Sequence, residues 1–204
     1  MAKRPKSPTG QRRPARKEAT QARILDVARL HFERDGFDAA SIRTIASEAG
    51  VATGTVLLHF TDKAGVLHAA LHEDLEKAIA GCLAAKSEGP LVARLAAVAG
   101  PFYAYYQARP TLSRTLLRES LFADEPWRSR FTEQLTRVLT RVAMLVEQAK
   151  AGGELPLTTD TRLVSVAFAS FYYFALLGWV QGGIADPLAV FTKLMAQHLP
   201  EVRR

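Results

Sequence analysis

Between positions 41 and 63 the chain gathers Ser41, Arg43, Thr44, Thr53, Gly54, Thr55, His59 and Lys63. Hydroxyls, a guanidinium, an imidazole and an ammonium at this density suit hydrogen bonding to phosphate oxygens and base edges rather than bond cleavage. Leu57 and Leu58 interrupt the polar series. A leucine can touch a thymine methyl but cannot hydrogen-bond a base, so Leu58 has two readings, base contact or burial against the first helix. Other chemistry is thin. His68 and His72 stand four apart on a helical pattern with Glu73 and His59 near them, a spacing able to bind zinc or nickel, but no third ligand is compelling. No supported nucleophile–base pair, phosphate-binding glycine loop or carboxylate pair at a defined spacing is found. Neither an enzyme, a cofactor nor a metal site is expected.

Helices must position these side chains. Apolar residues recur at spacings of three and four and do not alternate, so the chain reads as all-α with about nine helices. The first, about Glu18 to Arg34, carries Ile24, Leu25, Ala28 and Phe32 and ends at Asp35-Gly36, where glycine suits a left-handed cap. Ser41 caps a short second helix, Ile42 to Ala49, stopped by Gly50. A third runs from about Thr53 to His59. The fourth, from Asp62 or Lys63 to about Ala85, puts Val66, Leu67, Ala70, Leu71, Leu75, Ala78, Ile79 and Cys82 on one broad face. Five more are expected over about 91–108, 111–122, 126–150, 160–180 and 187–198. Within the second and third helices, Ala46 is small where they cross and Gly50 permits the tight turn. Ile45, Val51 and Val56 fill the small core between them. That steric pattern sets a second helix into a major groove.

The 204 residues, 48% hydrophobic, fit a soluble globular protein of one large domain or two small ones. No basic start runs directly into an apolar stretch, so no secretory signal is read and a cytoplasmic protein is expected. The only cysteine, Cys82, shares a helical apolar spacing with Leu75 and Ile79 and reads as a core residue. The formal charge of +7 lies wholly in residues 1–17, which hold seven basic residues and no acid; the remainder sums to zero. With Pro5, Pro8 and Pro14 this segment cannot bury apolar surface, and it reads as a disordered arm. Its Arg12, Arg13, Arg16 and Lys17 would lie along phosphates or in a minor groove; a solubilising leader is the other reading.

Aromatic residues crowd the second half. Phe102, Tyr105, Tyr106, Trp127, Phe131, Phe168, Phe171 and Tyr172, with Leu117, are candidate pocket walls, and Arg109, Arg114, Arg118 and Gln134 candidate polar members. Core filling accounts for any single aromatic equally well. The arginines admit an anionic or aromatic ligand, and surface salt bridges also explain them. Residues 163–185 carry no charge and are long enough to span a membrane. Two serines, three tyrosine or tryptophan rings, glycines and Gln181, with a helix stop near 180, favour instead a helix buried on both faces.

Taken in order, Ile24-Leu25-Asp26-Val27-Ala28, Phe32, Gly36-Phe37, Ser41-Ile42-Arg43, Ile45-Ala46, Ala49-Gly50-Val51, Gly54-Thr55-Val56, Phe60 and Lys63 resemble the N-terminal domain of the TetR (tetracycline repressor) family. The resemblance implies an arm (1–17), a helix-turn-helix domain (18–63, the motif about 41–60) and a C-terminal domain (64–204) that dimerises and senses a small molecule. It implies that Ser41 meets a phosphate, that Arg43 and Thr44 reach backbone or base edge, that Thr53, Gly54 and Thr55 open the recognition helix, and that His59 and Lys63 lie against phosphates. Tyrosine is usual in the family where Leu57 stands, and a polar residue where Leu58 stands, so affinity is expected to lean on the arm. It further implies a homodimer interface built from the last two helices, to which Val164, Phe168, Tyr172, Ala175, Trp179, Phe191, Leu194 and Met195 are assigned. The expected partners are double-stranded DNA, a second copy of the chain and a small-molecule effector. The alternative is a ligand-independent DNA-binding or partner-binding dimer.

Overall fold

The computed structural model describes residues 12–84 and 88–200. Among them are nine helices and no strand: α1 (Arg12–Ala39), α2 (Ile42–Glu48), α3 (Thr53–Phe60), α4 (Lys63–Ala84), α5 (Leu91–Gln107), α6 (Pro110–Leu121), α7 (Trp127–Ala151), α8 (Thr161–Val180) and α9 (Pro187–His198). They fall into two compact units, residues 1–71 and 72–204, the division lying inside α4 rather than at the expected 63/64.

In the first unit, Ile24, Leu25, Ala28 and Phe32 of α1, Ile45 and Ala46 of α2 and Val56 of α3 are fully or almost fully buried. α1 begins at Arg12, before the expected Glu18. Pro14 sits in its first turn, where a missing N–H costs nothing because the donor would be unpaired. Arg16 and Lys17 are therefore exposed helix residues, not part of an arm. Lys3, Arg4 and Lys6, and the side chains of Arg12 and Arg13, lie outside the described residues. At its other end the regular geometry breaks at Gly36 (φ 80, ψ 167), the cap position read from the sequence. His31, 1% exposed, ties this helix to the next: Nδ1 lies 3.2 Å from Asp35 and Nε2 lies 3.1 Å from Glu48.

The joint from α3 to α4 is tight. Thr61 has φ 64 and ψ −54, and the Asp62 N–H reaches back to the Phe60 carbonyl at 2.6 Å. This is a γ-turn with a β-branched residue at positive φ, a strained choice. Asp62 then caps α4 through its carboxylate on the Gly65 N–H at 2.7 Å. A Cβ on Gly65 would stand 2.1 Å from the Phe60 carbonyl oxygen, so the joint closes only around glycine.

In the second unit α5, α7, α8 and α9 pack on one another and α6 closes against α5, α7 and α8. The centre is Leu95, Val98, Tyr103, Val142, Val146, Ala175, Leu176, Phe191 and Met195. Glu154, after α7, pins the start of α5: its carboxylate accepts from the Leu91 N–H at 2.8 Å and from the nearly buried Arg94 at 2.5 Å. Cys82 is 2% exposed, its thiol donates to the Ile79 carbonyl at 3.2 Å, and burial pushes its pKa up.

α8 has the length and composition of a membrane span, 20 residues whose most apolar stretch has a mean hydropathy of 1.8, but its inner side packs on α7 and α9. Its buried residues are Val164, Ser165, Ala167, Phe168, Ala175 and Leu176. Leu163, Val166, Phe174 and Leu177 point outward, Phe174 being 61% exposed. This corrects the interface reading. Val164, Phe168, Ala175, Phe191 and Met195 are core residues of their own unit, and Tyr172, Trp179 and Leu194 are half-buried.

Candidate nucleic-acid interface and ligand cavity

The first candidate site is the outside of α2 and α3. Ser41 is the N-cap of α2: its Oγ accepts the Thr44 N–H at 3.1 Å and shares a 2.6 Å hydrogen bond with the Thr44 hydroxyl. Arg43 and Thr44 are exposed in the first turn beside it. Gly50 turns the chain at φ 63, and Ala52 starts α3 without a side-chain cap. In that first turn the Thr55 N–H donates to the Ala52 carbonyl at 2.8 Å; Thr53 and Gly54 are exposed and Thr55 is half-buried. Leu58 is 84% exposed and Leu57 44%. Burial of Leu58 against α1 is thereby excluded. His59 is half-buried, its ring 5.8 Å from that of Phe60.

Lys63 departs from its expected role. Its ammonium donates to the carbonyls of Phe37 at 2.7 Å, Asp38 at 3.1 Å and Ala40 at 3.0 Å, and lies 4.5 Å from the centre of the Phe37 ring. An ammonium has three protons, and all three are used on carbonyls at the end of α1. Lys63 is a clamp between α1 and α4 within the first unit, not an open phosphate ligand. Nothing local in the sequence signals this, since the partners lie more than twenty positions upstream.

The second candidate site is a cavity of about 90 Å³ inside the second unit. Six of the predicted residues line it: Phe102, Tyr106, Phe131, Gln134, Phe168 and Tyr172. Leu75 and Ile79 of α4, Ser120, Leu135, Val138, Ala169 and Tyr173 complete the wall. The i, i+4 pair Leu75 and Ile79 reads as core from the sequence, and Leu135 and Val138 share a helix face with Gln134, which is the signal in the sequence that could place them here. The remaining predicted members do not line it. Tyr105 donates to Asp74 at 3.3 Å and carries the Arg109 guanidinium 4.2 Å from its ring centre. Leu117 is core, Trp127 packs beside His72 and Phe131 with Arg130 over its ring, and Phe171 meets the ring of His198. Arg114 is exposed and Arg118 pairs with Glu119. Among the described residues lining the cavity there is no arginine, which removes the support that the sequence lent to an anionic ligand.

Burial raises the hydroxyl pKa of Tyr106, Tyr172 and Tyr173, so these phenols stay neutral. Gln134 is 4% exposed; its Nε2 donates to the His72 carbonyl at 3.0 Å and to Glu76 at 2.8 Å. Arg137, 2.8 Å from Glu76, holds that carboxyl below its ordinary range, and it remains an acceptor. Among the described residues no group of three His, Cys, Asp or Glu side chains forms a metal-ligand set.

Comparisons with known proteins agree with this geometry. Residues 24–70 match the profile of the bacterial regulatory proteins of the tetR family. The HTH-type transcriptional regulator UidR of Escherichia coli (strain K12) is 35% identical over 63 residues, 31% of this chain and 32% of UidR, so the match spans only about a third of that relative. The HTH-type transcriptional regulator SrpR of Pseudomonas putida is 31% identical over 153 residues, 72% of this chain and 69% of SrpR. Among solved structures, the transcriptional regulator FadR of Bacillus subtilis, in complex with stearoyl-CoA, superposes with a TM-score of 0.71 at 20% identity, covering 89% of this chain and 99% of its own. With the profile seated on the helix-turn-helix and SrpR matching most of the chain, the protein belongs to the TetR family of bacterial regulatory proteins.

Proposed function

We propose that the protein is a dimeric, sequence-reading DNA-binding regulator, a repressor released from a palindromic operator by a small molecule. The observation that carries this reading is the recognition helix. α3 stands on a closed core of Ile45, Ala46 and Val56 while Thr53, Gly54, Leu57 and Leu58 face outward. A helix so mounted fits the major groove. Its exposed face offers hydroxyls and two leucines, so thymine methyls form a large part of what it reads. Arg43, Thr44, Arg16 and Lys17 supply backbone contacts, with the basic residues of positions 1–13 as a further electrostatic contribution. Lys63 holds the frame instead.

The dimer would form on the outward apolar row of α8, Leu163, Val166, Phe174 and Leu177. A two-fold dimer would read an operator by setting its two copies of α3 in successive half-sites, which on B-DNA lie about 34–36 Å apart. The effector would occupy the cavity of the second unit. The α4 residues Leu75 and Ile79 in its wall give the ligand a grip on the helix that also carries Lys63. The stearoyl-CoA of FadR supports a small-molecule ligand in this fold. Release requires the effector to bind the non-DNA-binding state more tightly. Repression follows because a bound dimer excludes polymerase, and the protein acts in the cytoplasm where its DNA is.

The test is selection of sites from a random duplex library by the full-length protein at near-physiological salt. The expected result is an enriched inverted repeat rich in thymine–adenine pairs at the positions α3 meets. Binding without an enriched motif would leave only electrostatic attachment, and no binding would sink the reading.

A further inference from the structure

Among the described residues that line the cavity, Gln134 carries a fully buried polar atom without a partner. The amide of Gln134 has a fixed orientation: Nε2 faces the His72 carbonyl and the Glu76 carboxylate, both of which only accept hydrogen bonds. Turning the amide over would set its oxygen against two acceptors. Oε1 is therefore the acceptor left over, and among the described residues it has no hydrogen-bond partner. A buried acceptor in that condition is destabilising until a donor reaches it. The other polar atoms in the wall do not discriminate, because the hydroxyls of Tyr106, Ser120, Tyr172 and Tyr173 can each donate or accept.

Charge is missing from the wall. Among the described residues that line the cavity none is ionisable except the neutral tyrosines, and Glu76 and Arg137 are paired to each other outside it. A carboxylate or ammonium placed inside would be buried without a counter-charge. The space, about 90 Å³, is below the roughly 150 Å³ of an engineered cavity that takes benzene, so a six-membered ring enters only with slight adjustment of the wall.

From these observations we infer that the effector is a compact, uncharged, largely apolar molecule carrying one hydrogen-bond donor, a phenolic or alcoholic O–H or an amide N–H, which meets Gln134 Oε1. The inference rests on the cavity being the effector site, and its test separates the two.

Two matched pairs of probes are titrated into the full-length protein by calorimetry, with ¹⁹F NMR for the fluorinated one. Phenol against fluorobenzene isolates the donor, and benzamide against benzoate isolates the charge. Phenol is expected to bind about tenfold more tightly than fluorobenzene, and benzamide more than tenfold more tightly than benzoate. Gln134→Met, which keeps the length and removes the acceptor, brings phenol and fluorobenzene within twofold of each other. Ala169→Phe, which fills the cavity, abolishes binding of all. Equal binding of phenol and fluorobenzene to the unmodified protein, lost in Ala169→Phe, overturns the donor claim and leaves the cavity reading standing. Benzoate binding as tightly as benzamide overturns the claim of neutrality. Failure of all four probes, or binding indifferent to Ala169→Phe, overturns the inference and the effector site together.

Discussion

The two units use apolar side chains in opposite ways. In the first, the core is closed by Ile24, Leu25, Phe32, Ile45, Ala46 and Val56, and the exposed leucines of α3, Leu57 and Leu58, stay outside it. In the second, Phe102, Tyr106, Phe131 and Phe168 are at once buried core and cavity wall. Recognition and stability are therefore separable by mutation in the first unit and entangled in the second. The outward row of α8 is an exception in the second unit, a run of apolar residues along one helix yet uninvolved in its core.

That exception gives the largest expected effect. Phe174→Arg removes an exposed apolar residue and adds a charge, so folding should persist while the proposed dimer is lost. Sedimentation should show a monomer, and affinity for an inverted repeat should fall by about 10²-fold or more as two half-sites are no longer engaged together. A variant that remains dimeric would move the interface off this face. Lys63→Met comes next. It strands three carbonyls at the end of α1 and should lower stability by about 1–3 kcal/mol in chemical denaturation, leaving the salt slope of DNA binding unchanged. A slope reduced by about one, with stability intact, would return Lys63 to the phosphates. Leu58→Ala is the smallest. Stability should stay within about 0.5 kcal/mol while operator affinity drops by about 1 kcal/mol, and replacing the contacted thymines by uracil should cost the same without adding to it. Additive losses would separate Leu58 from the methyl groups.

How much was legible in the sequence follows from how local each signal is. The sites of Ala46, Gly50, Val56 and the Ser41 cap are set by neighbours a few positions away, and they stand where the sequence reading put them. The orientation of α8 was misread because a helix apolar all round has no hydrophobic direction; its inward and outward rows are distinguished only by which neighbours it meets. Lys63 was misread because its carbonyl partners come from a different helix. In the cavity the aromatics were found by type, but Arg109 and Tyr105 satisfy each other at the α5–α6 corner instead of turning inward. The start of α1 was placed too late because the basic, proline-containing segment offers no apolar periodicity to read, whereas Pro14 in a first turn is compatible with the helix.

The state of Cys82 has a practical consequence for spectroscopy. It is the only thiol in the chain, it is buried, and burial keeps it protonated. Thiolate reagents need an exposed, ionised sulfur, so the native protein presents almost no background to maleimide labelling. A cysteine introduced at the exposed position of Leu58 would carry a single spin label or fluorophore per subunit, directly on the recognition helix. The distance between the two labels in a dimer would then be a ruler for half-site spacing, read with and without each candidate effector in solution.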